Sequence, residues 1–279
     1  MKLHTIDTGF FKLDGGAMFG VVPKSLWNKT NPADENNLCT WAMRCLLVED
    51  EGRLILIDTG IGNKQDERFF SHYYLHGNAT MDSSLAALGF HRDDITDVFL
   101  THLHFDHVGG AVIRNGEKLT PTFKNATYWS NQQHWDWAVN PNDREKASFL
   151  KENILPIQES GQLKFVAAED GVKFTDNIHI RLAYGHTDAM MLPLINYKGK
   201  RILYMADLLP SVGHIPLPYV MAYDMFPLKT LNERKVFWKE AVENEYVLYL
   251  EHDPVNECCT LQQTEKGVRL KETFKLNEI

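Results

Sequence analysis

Residues 101–110 read THLHFDHVGG, and this stretch decides both the fold and the chemistry that the chain can perform. It follows a short apolar run that is typical of a β-strand. Alternate side chains of extended backbone point to the same side, so His102 and His104 can bind one metal ion together. Asp106 and His107 are consecutive, and they can reach a second ion if the chain turns into a helix at this point. Imidazole and carboxylate groups bind zinc, and also iron or manganese.

Three histidines and one aspartate within the six residues 102–107 form a dense and specific pattern. A loop that contains histidines by chance, or a cluster that senses protons, would offer the same residue types. The alternate spacing of the first two histidines, with a carboxylate beside the third, favours a metal site over both alternatives.

Three more ligand-type residues lie where apolar segments of the chain end: His186, Asp207 and His252. The ends of strands are where α/β folds gather their binding and catalytic groups. Taken singly, the three residues could be a turn histidine, a helix N-cap aspartate and a loop histidine. Together with residues 101–110 they indicate a site for two metal ions, because such a site needs more ligands than that stretch supplies.

The composition is that of a globular protein. The 279 residues suit one large domain or two fused halves, and 44% of them are apolar and 24% charged. The net charge of -8, with no basic tract, argues against nucleic acid as a partner. No apolar run approaches the roughly 18 residues that span a bilayer, and the first residues lack the apolar core of a signal peptide. We therefore expect a cytoplasmic protein with no membrane partner.

Strand and helix patterns alternate along the chain, which predicts an α/β fold. Turn residues between apolar runs predict two hairpins, one about Glu51-Gly52 and one about Lys198-Gly199-Lys200. Thr230 and Glu233 have the spacing of a capping box, so we expect a helix from there to about Glu245. The predicted strands are Leu3–Thr8, Met43–Glu49, Arg53–Asp58, Asp97–Leu100, Leu163–Ala167, Asn177–Ala183, Leu192–Asn196, Arg201–Met205, Tyr246–Leu250 and Val268–Lys275, and further helices are expected over Ser83–Leu88 and Lys146–Ile154.

The chain resembles the metallo-β-lactamase superfamily in an ordered set of residues: Asp58, His102-x-His104-x-Asp106-His107, His186, Asp207 and His252. All five ordered motifs of that superfamily match, and they extend from about residue 53 to residue 253. The resemblance implies a four-layer αβ/βα sandwich, with two mixed β-sheets flanked by helices. It also implies one domain over residues 1–279, with halves of about 1–160 and 161–279 that are related by a pseudo-twofold axis.

The resemblance also implies how the ligands are divided between two divalent metal ions. One ion would take His102, His104 and His186. The other would take Asp106, His107 and His252, and Asp207 would bridge both ions. Asp58 would not be a ligand but would support the loop that carries the histidines, as a carboxylate does when it accepts the second N–H of a ligand. We expect zinc, with iron or manganese as alternatives.

The expected chemistry follows from two cations at close range. Metal ions about 3.5–4 Å apart can share a bridging water and lower its pKa towards neutrality. The resulting hydroxide would attack a carbonyl carbon or a phosphorus atom, while a metal ion polarises the substrate oxygen. Asp106 would pass a proton to the leaving group. No Ser or Cys nucleophile is needed, and the sequence contains no G-x-S-x-G motif.

The branch of the superfamily is indicated by residues around the ligands. Asp207 argues against a true β-lactamase, because the common dizinc lactamases have a cysteine in the corresponding place. Residues 185–190 read GHTDAM and lack the second histidine of glyoxalase II-like enzymes. The segments Asp207–Pro210, Tyr223–Pro227 and Gly15–Gly20 look like the branch that contains N-acyl homoserine lactonases and methyl parathion hydrolase.

Four aromatic residues are candidates for contact with the substrate. The phenol of Tyr223 would help an oxyanion near the metal ions, and a packed tyrosine in a Pro-rich loop is the equal alternative. Phe105, Phe19 and Trp27 are candidates for lining an apolar acyl or aryl pocket. Phe105 has the strongest claim because it lies between ligands, whereas packing in the core is the favoured interpretation of Phe19 and Trp27.

These observations predict a lactonase-like or esterase-like metal-dependent hydrolase that cleaves an ester or lactone bond in a small molecule. Two alternatives keep the fold and change the chemistry: a phosphotriesterase or phosphodiesterase, and a non-haem iron redox protein. A non-catalytic binding protein is disfavoured because every expected ligand is present. The branch also leads us to expect a homodimer. The loops expected to choose the substrate, Trp27–Asn37 and Val212–Met225, do not identify it.

Overall fold

Fifteen strands and eight α-helices make up the computed structural model, which describes all residues from Met1 to Ile279. The strands are β1 Lys2–Asp14, β2 Leu38–Asp50, β3 Arg53–Ile57, β4 Asp97–Phe99, β5 Val112–Asn115, β6 Lys118–Pro121, β7 Thr127–Asn131, β8 Leu163–Val166, β9 Val172–Lys173, β10 Ile178–Ala183, β11 Met190–Tyr197, β12 Lys200–Tyr204, β13 Val247–Tyr249, β14 Cys258–Thr264 and β15 Gly267–Phe274. The α-helices are α1 Gly15–Phe19, α2 Lys24–Trp27, α3 Glu67–Ser71, α4 Met81–Ala87, α5 Phe105–Val108, α6 Gln132–Val139, α7 Lys151–Glu159 and α8 Pro227–Glu243. Short 3-10 helices cover Arg92–Asp94, Gly109–Ala111, Ala206–Leu208, Val212–His214 and Leu276–Glu278.

The first compact unit contains residues Met1–Gly9 and Met43–Val172. It is built on a six-stranded mixed sheet in the order β1-β2-β3-β4-β7-β8. The pairs β3–β4, β4–β7 and β7–β8 are parallel, and the apolar side chains of β3 and β4 are buried as expected for central parallel strands, whereas Phe165 in the edge strand β8 is exposed. Because β3 and β4 are parallel neighbours, the residues that follow them, beginning with Asp58 and Leu100, leave the sheet side by side.

The second compact unit contains residues Phe10–Ala42 and Lys173–Ile279. Its seven-stranded mixed sheet has the order β15-β14-β13-β12-β11-β10-β9. Strands β12 and β13 are parallel, and the backbone N–H of Met205, just after β12, donates to the Tyr249 carbonyl with an N···O distance of 3.0 Å. This pairing brings the residues that follow the two strands, including Asp207 and His252, to the same sheet edge.

Both hairpins that the turn residues predict are confirmed. Strands β2 and β3 are antiparallel, and Glu51 and Gly52 between them have φ of 50° and 78°. Strands β11 and β12 are antiparallel, and Lys198 and Gly199 have φ of 50° and 78°. Positive φ at both central residues is the geometry of the type I′ turn, which matches the twist of antiparallel strands.

Two local predictions are wrong. The capping box at Thr230 does not start a helix, because α8 already begins at Pro227, whose fixed φ suits the first helical position. The expected helix over Lys146–Ile154 is displaced to Lys151–Glu159, since residues 143–148 form turns instead. Residues Phe10–Ala42 cluster with the second unit, and the single domain with halves of about 1–160 and 161–279 stays a prediction. No helix has the length and apolar character needed to cross a membrane.

Candidate metal centre

In the first unit, the segment after β4 presents four buried ligand-type side chains. His102 and His104 lie in extended backbone, and helix α5 begins immediately after them at Phe105. The turn into this helix places Asp106 and His107 beside the first two histidines. The ring centroids of His102 and His104 are 4.5 Å apart, and those of His102 and His107 are 3.9 Å apart. A short sequence therefore gathers three imidazoles and a carboxylate in one place.

Gly109 and Gly110 let this segment approach the loop after β3. A Cβ atom on Gly109 would lie 2.1 Å from the carbonyl oxygen of Ile61, and one on Gly110 would lie 2.2 Å from that of Thr59. Both distances are far below van der Waals contact with backbone that cannot move aside. The pair of glycines at the end of the ligand segment is thus a packing requirement rather than a flexible hinge.

Asp58 connects the two loops of the first unit. Its carboxylate accepts the Thr101 backbone N–H at 2.8 Å, the Thr101 hydroxyl at 2.6 Å and the Nδ1–H of His107 at 3.1 Å. The residue is fully buried and has φ of 57°, a left-handed conformation that aspartate tolerates better than most side chains. These contacts hold the His107 ring with Nε2 directed away from Asp58.

In the second unit, Asp207 lies between two histidines. Its Oδ2 is 2.9 Å from Nε2 of His186, and its Oδ1 is 2.9 Å from Nε2 of His252. The preceding residue, Ala206, has φ of 40°, so the backbone turns sharply where the carboxylate leaves strand β12. Each oxygen of one carboxylate thus faces a different imidazole.

The two histidines of the second unit are held through their other nitrogen. Nδ1 of His186 lies 2.8 Å from Oδ1 of the fully buried Asp224, and Nδ1 of His252 donates to the Ala42 carbonyl at 2.8 Å. Burial opposes a charge on His186, but Asp207 and Asp224 outweigh it and raise the pKa of this imidazole to about 10. The environment therefore favours positive charge beside Asp207, which a divalent cation would supply.

Each unit offers donors of the kind that hold a metal ion. The first unit offers His102, His104, Asp106 and His107, and the second offers His186, Asp207 and His252. Imidazole nitrogens and carboxylate oxygens are the ligands that zinc, iron and manganese accept. The donor set fits divalent metal ions, and all seven side chains are buried.

The aromatic candidates occupy different environments. Phe105 is 8% exposed, and its ring is 4.7 Å from the ring of Tyr73 and 5.5 Å from that of Phe69. Phe19 and Trp27 are fully buried and stack on each other with centroids 5.2 Å apart, as the core interpretation expects. Their role as pocket residues stays a prediction.

Tyr223 is 37% exposed, and its contact with a substrate also stays a prediction. Its neighbour Asp224 was overlooked, although the structure gives that carboxylate a direct contact with His186. The aromatic pair Phe69 and Tyr73 was overlooked as well. The signal for it was present, because Phe69 and Tyr73 are four residues apart, a spacing that places side chains on one side of a helical turn.

The chain belongs to the metallo-β-lactamase superfamily, whose family model matches residues 44–239. The N-acyl homoserine lactonase AiiA of Bacillus thuringiensis subsp. kurstaki is 24% identical over 196 residues, which are 67% of this chain and 66% of that protein. An N-acyl homoserine lactonase of a Bacillus species is 26% identical over 197 residues, with the same two shares. The matches thus span about two thirds of the length of these relatives.

Solved structures agree with this family. A probable metal-dependent hydrolase from Staphylococcus aureus has a TM-score of 0.87 and 27% sequence identity, over 98% of both chains. The dizinc quorum-quenching lactonase AidC has a TM-score of 0.80 and 23% identity, over 98% of this chain and 95% of that one. At this identity the second comparison shows the fold alone. The predicted α/β fold, with mixed sheets flanked by helices, is confirmed.

Proposed function

We propose that the protein is a metal-dependent hydrolase that holds two divalent ions and cleaves an ester or lactone bond in a small molecule. One ion would be held by His102, His104 and His186. The other would be held by Asp106, His107 and His252. Asp207 would bind both ions. We expect zinc, and iron or manganese are the alternatives that the same donor set accepts.

The observation that carries this proposal is the geometry of Asp207. Its two oxygens point to two different histidines, His186 and His252, each at 2.9 Å. A carboxylate that served a single ion would not need both oxygens directed this way. The second nitrogen of each histidine is occupied by Asp224 or by the Ala42 carbonyl, which leaves Nε2 on the side of Asp207.

When bound, two metal ions supply an activated water nucleophile and polarise the oxygen of the substrate. The protein orients the ligands before the ions arrive, because Asp58 and Asp224 fix the rings of His107 and His186. Asp106 is 8% exposed and lies at the start of α5, where we propose that it carries a proton to the leaving group. Tyr223 is proposed as a donor to the developing oxyanion.

The first unit offers an apolar surface next to these ligands. Phe69, Tyr73 and Phe105 pack with their rings 4.7–5.5 Å apart, directly beside Asp106. Burial, and then the charge of Asp106, raise the pKa of Tyr73 to about 12, so its phenol stays neutral. We propose that this aromatic wall receives an apolar acyl or aryl group of the substrate. The relatives that are N-acyl homoserine lactonases support a lactone or ester over other bonds.

The metal requirement is tested on the purified protein by elemental analysis and activity measurements. We expect two transition-metal ions per chain, loss of hydrolysis after chelation, and recovery with zinc, manganese or iron. Asp207→Asn should lose both ions, whereas Asp97→Asn is the matched control, because Asp97 is a buried carboxylate that pairs with Arg53. A wild-type protein that takes up no metal and hydrolyses nothing would refute the proposal.

The bond that is cleaved is tested with a panel of acyl lactones, aryl esters, phosphodiesters and phosphotriesters at equal concentration. We expect the highest kcat/KM on a lactone or carboxylic ester with an apolar side group. A higher value on a phosphotriester or phosphodiester would replace the proposed bond and keep the metal site. Iron with redox-linked absorption bands and no hydrolysis would replace the chemistry altogether. A homodimer and a cytoplasmic location stay predictions from the sequence.

A further inference from the structure

Glu145 is a buried carboxylate in the turns between α6 and α7, far in sequence from the ligand segment. Its Oε1 lies 2.9 Å from Nε2 of His104, and the residue is 1% exposed. The other oxygen, Oε2, accepts the indole N–H of Trp137 at 2.6 Å and the side-chain N–H of Asn142 at 3.3 Å. Donors therefore face both oxygens, which is what a buried carboxylate requires to stay charged.

The segment that carries Glu145 packs closely on His104. The backbone N–H of Phe105 donates to the Ser148 carbonyl at 2.9 Å, and the Ser148 N–H donates to the Glu145 carbonyl at 2.8 Å. The ring of Phe149 contacts the His104 ring with centroids 4.8 Å apart. The imidazole is thus bounded by an aromatic face and a carboxylate, both from residues 142–149.

The hydrogen bond between Glu145 and His104 determines which nitrogen of the imidazole carries the proton and which carries the lone pair. A carboxylate only accepts, so the ring must donate Nε2–H, and a neutral imidazole then carries its lone pair on Nδ1. The arrangement is opposite to that of His107, His186 and His252, whose Nδ1 atoms contact Asp58, Asp224 and the Ala42 carbonyl. In those three residues Nε2 lies on the side of the ring away from these partners, and in His186 and His252 it faces Asp207.

We infer that Glu145 is a positioning residue that fixes the Nε2–H tautomer of His104 and so presents Nδ1 to the metal ion. The inference rests on the proposed metal site and adds a residue that no sequence motif indicates. Its physical basis is that a partner to the far nitrogen fixes both the orientation and the tautomer of a ligating imidazole. Asn142 and Trp137 act one step further out, because they hold the carboxylate in place.

The first measurement is the tautomer of His104 in the metal-free protein, read from the ¹⁵N chemical shifts and long-range couplings of the imidazole. We expect a protonated Nε2 in the wild-type protein. Glu145→Ala should abolish this preference, and Glu145→Gln should retain it, because the amide oxygen still accepts a hydrogen bond. An unchanged tautomer in Glu145→Ala would overturn the inference, whether or not the protein binds metal.

The second measurement is zinc affinity, by competition with a chromophoric chelator. We expect Glu145→Ala to bind zinc about 10- to 100-fold more weakly than the wild type, with Glu145→Gln closer to the wild type. Glu145→Met, which fills a similar volume, replaces the alanine variant if that variant does not fold. Trp129→Phe is the matched control: it removes an indole–carboxylate hydrogen bond of the same kind, to Asp97, lowers thermal stability and leaves zinc affinity unchanged.

The outcomes separate the inference from the proposed function. If the wild type and Glu145→Ala bind zinc equally well, the inference fails and the proposed metal site stands. If the wild type binds no metal, the proposed function fails, and the tautomer measurement still decides whether Glu145 fixes the ring. If Trp129→Phe weakens zinc binding as much as Glu145→Ala does, the effect is one of general stability and the inference is overturned.

Discussion

Lys64 provides a quantitative test of the packing behind the ligand segment. The side chain is 6% exposed, and its Nζ donates to the carbonyl of Gly109, two residues after His107. Burial, only partly offset by the charge of Glu152, lowers the pKa of this amine from 10.5 to about 7. We predict that Lys64→Met changes the stability of the protein in a strongly pH-dependent way.

The size of the effect follows from the two pKa values. One pKa unit corresponds to about 1.4 kcal/mol, so a fully protonated Lys64 costs about 5 kcal/mol in the folded state at pH well below 7. Between about pH 7 and 10.5 the unfolded chain binds the proton and the folded chain does not, so the stability of the wild type rises with pH. The remaining cost is about 2 kcal/mol at pH 9. Lys64→Met has no amine that titrates, so it avoids this cost at every pH. It loses about 1 kcal/mol at every pH because the hydrogen bond to the Gly109 carbonyl is gone.

The free energy of unfolding is measured by urea titration at pH 6, 7.5 and 9 in the presence of a chelator. We expect the advantage of Lys64→Met over the wild type to shrink by roughly 2.5 kcal/mol from pH 6 to pH 9. Lys118→Met, at an exposed position in β6, is the control and should show no such trend. A stability difference for Lys64→Met that is the same at all three pH values would refute the reasoning.

Three further predictions concern the site itself. Asp224→Ala removes the contact to Nδ1 of His186, and we expect zinc affinity to fall about 10- to 100-fold by chelator competition; unchanged affinity would contradict the assigned role. Phe105→Ala shortens the aromatic wall, so kcat/KM for substrates with an apolar acyl group should fall roughly tenfold while short-chain substrates change little; an equal loss on both would argue against the wall. Gly185→Ala would place a Cβ 2.3 Å from the backbone nitrogen of Thr230, so we expect a loss of about 1–3 kcal/mol in unfolding free energy together with lower metal content; wild-type stability would show that the loop can move aside.

The local predictions succeeded where a short stretch of sequence is sufficient to specify the structure. The hairpin turns at Glu51-Gly52 and Lys198-Gly199 have the predicted positions, because positive φ at two consecutive residues is a property of the turn itself. The prediction that a helix begins at Thr230 was wrong because another local signal precedes that residue. Pro227 is a stronger start signal than a capping box three residues later, and the helix follows the proline.

The contacts around the ligand-type histidines were harder to predict from the sequence. Glu145 and Asp224 touch His104 and His186 across separations of 41 and 38 residues. A buried carboxylate of this kind has no fixed spacing from its partner, so no motif marks it. The Ala42 carbonyl that holds His252 cannot be read from a side chain at all, since any residue supplies a backbone oxygen.

The sequence by itself predicted the type of chemistry, because the three histidines and the aspartate within residues 102–107, together with the later ligand-type residues, are donors that metal ions bind. It also determined the α/β class through the period of its apolar residues. The tertiary structure alone decided which nitrogen of His104, His107, His186 and His252 contacts Glu145, Asp58, Asp224 or the Ala42 carbonyl. That choice depends on hydrogen-bond partners brought together by strand pairing and loop packing, and such long-range contacts arise only when the whole chain has folded.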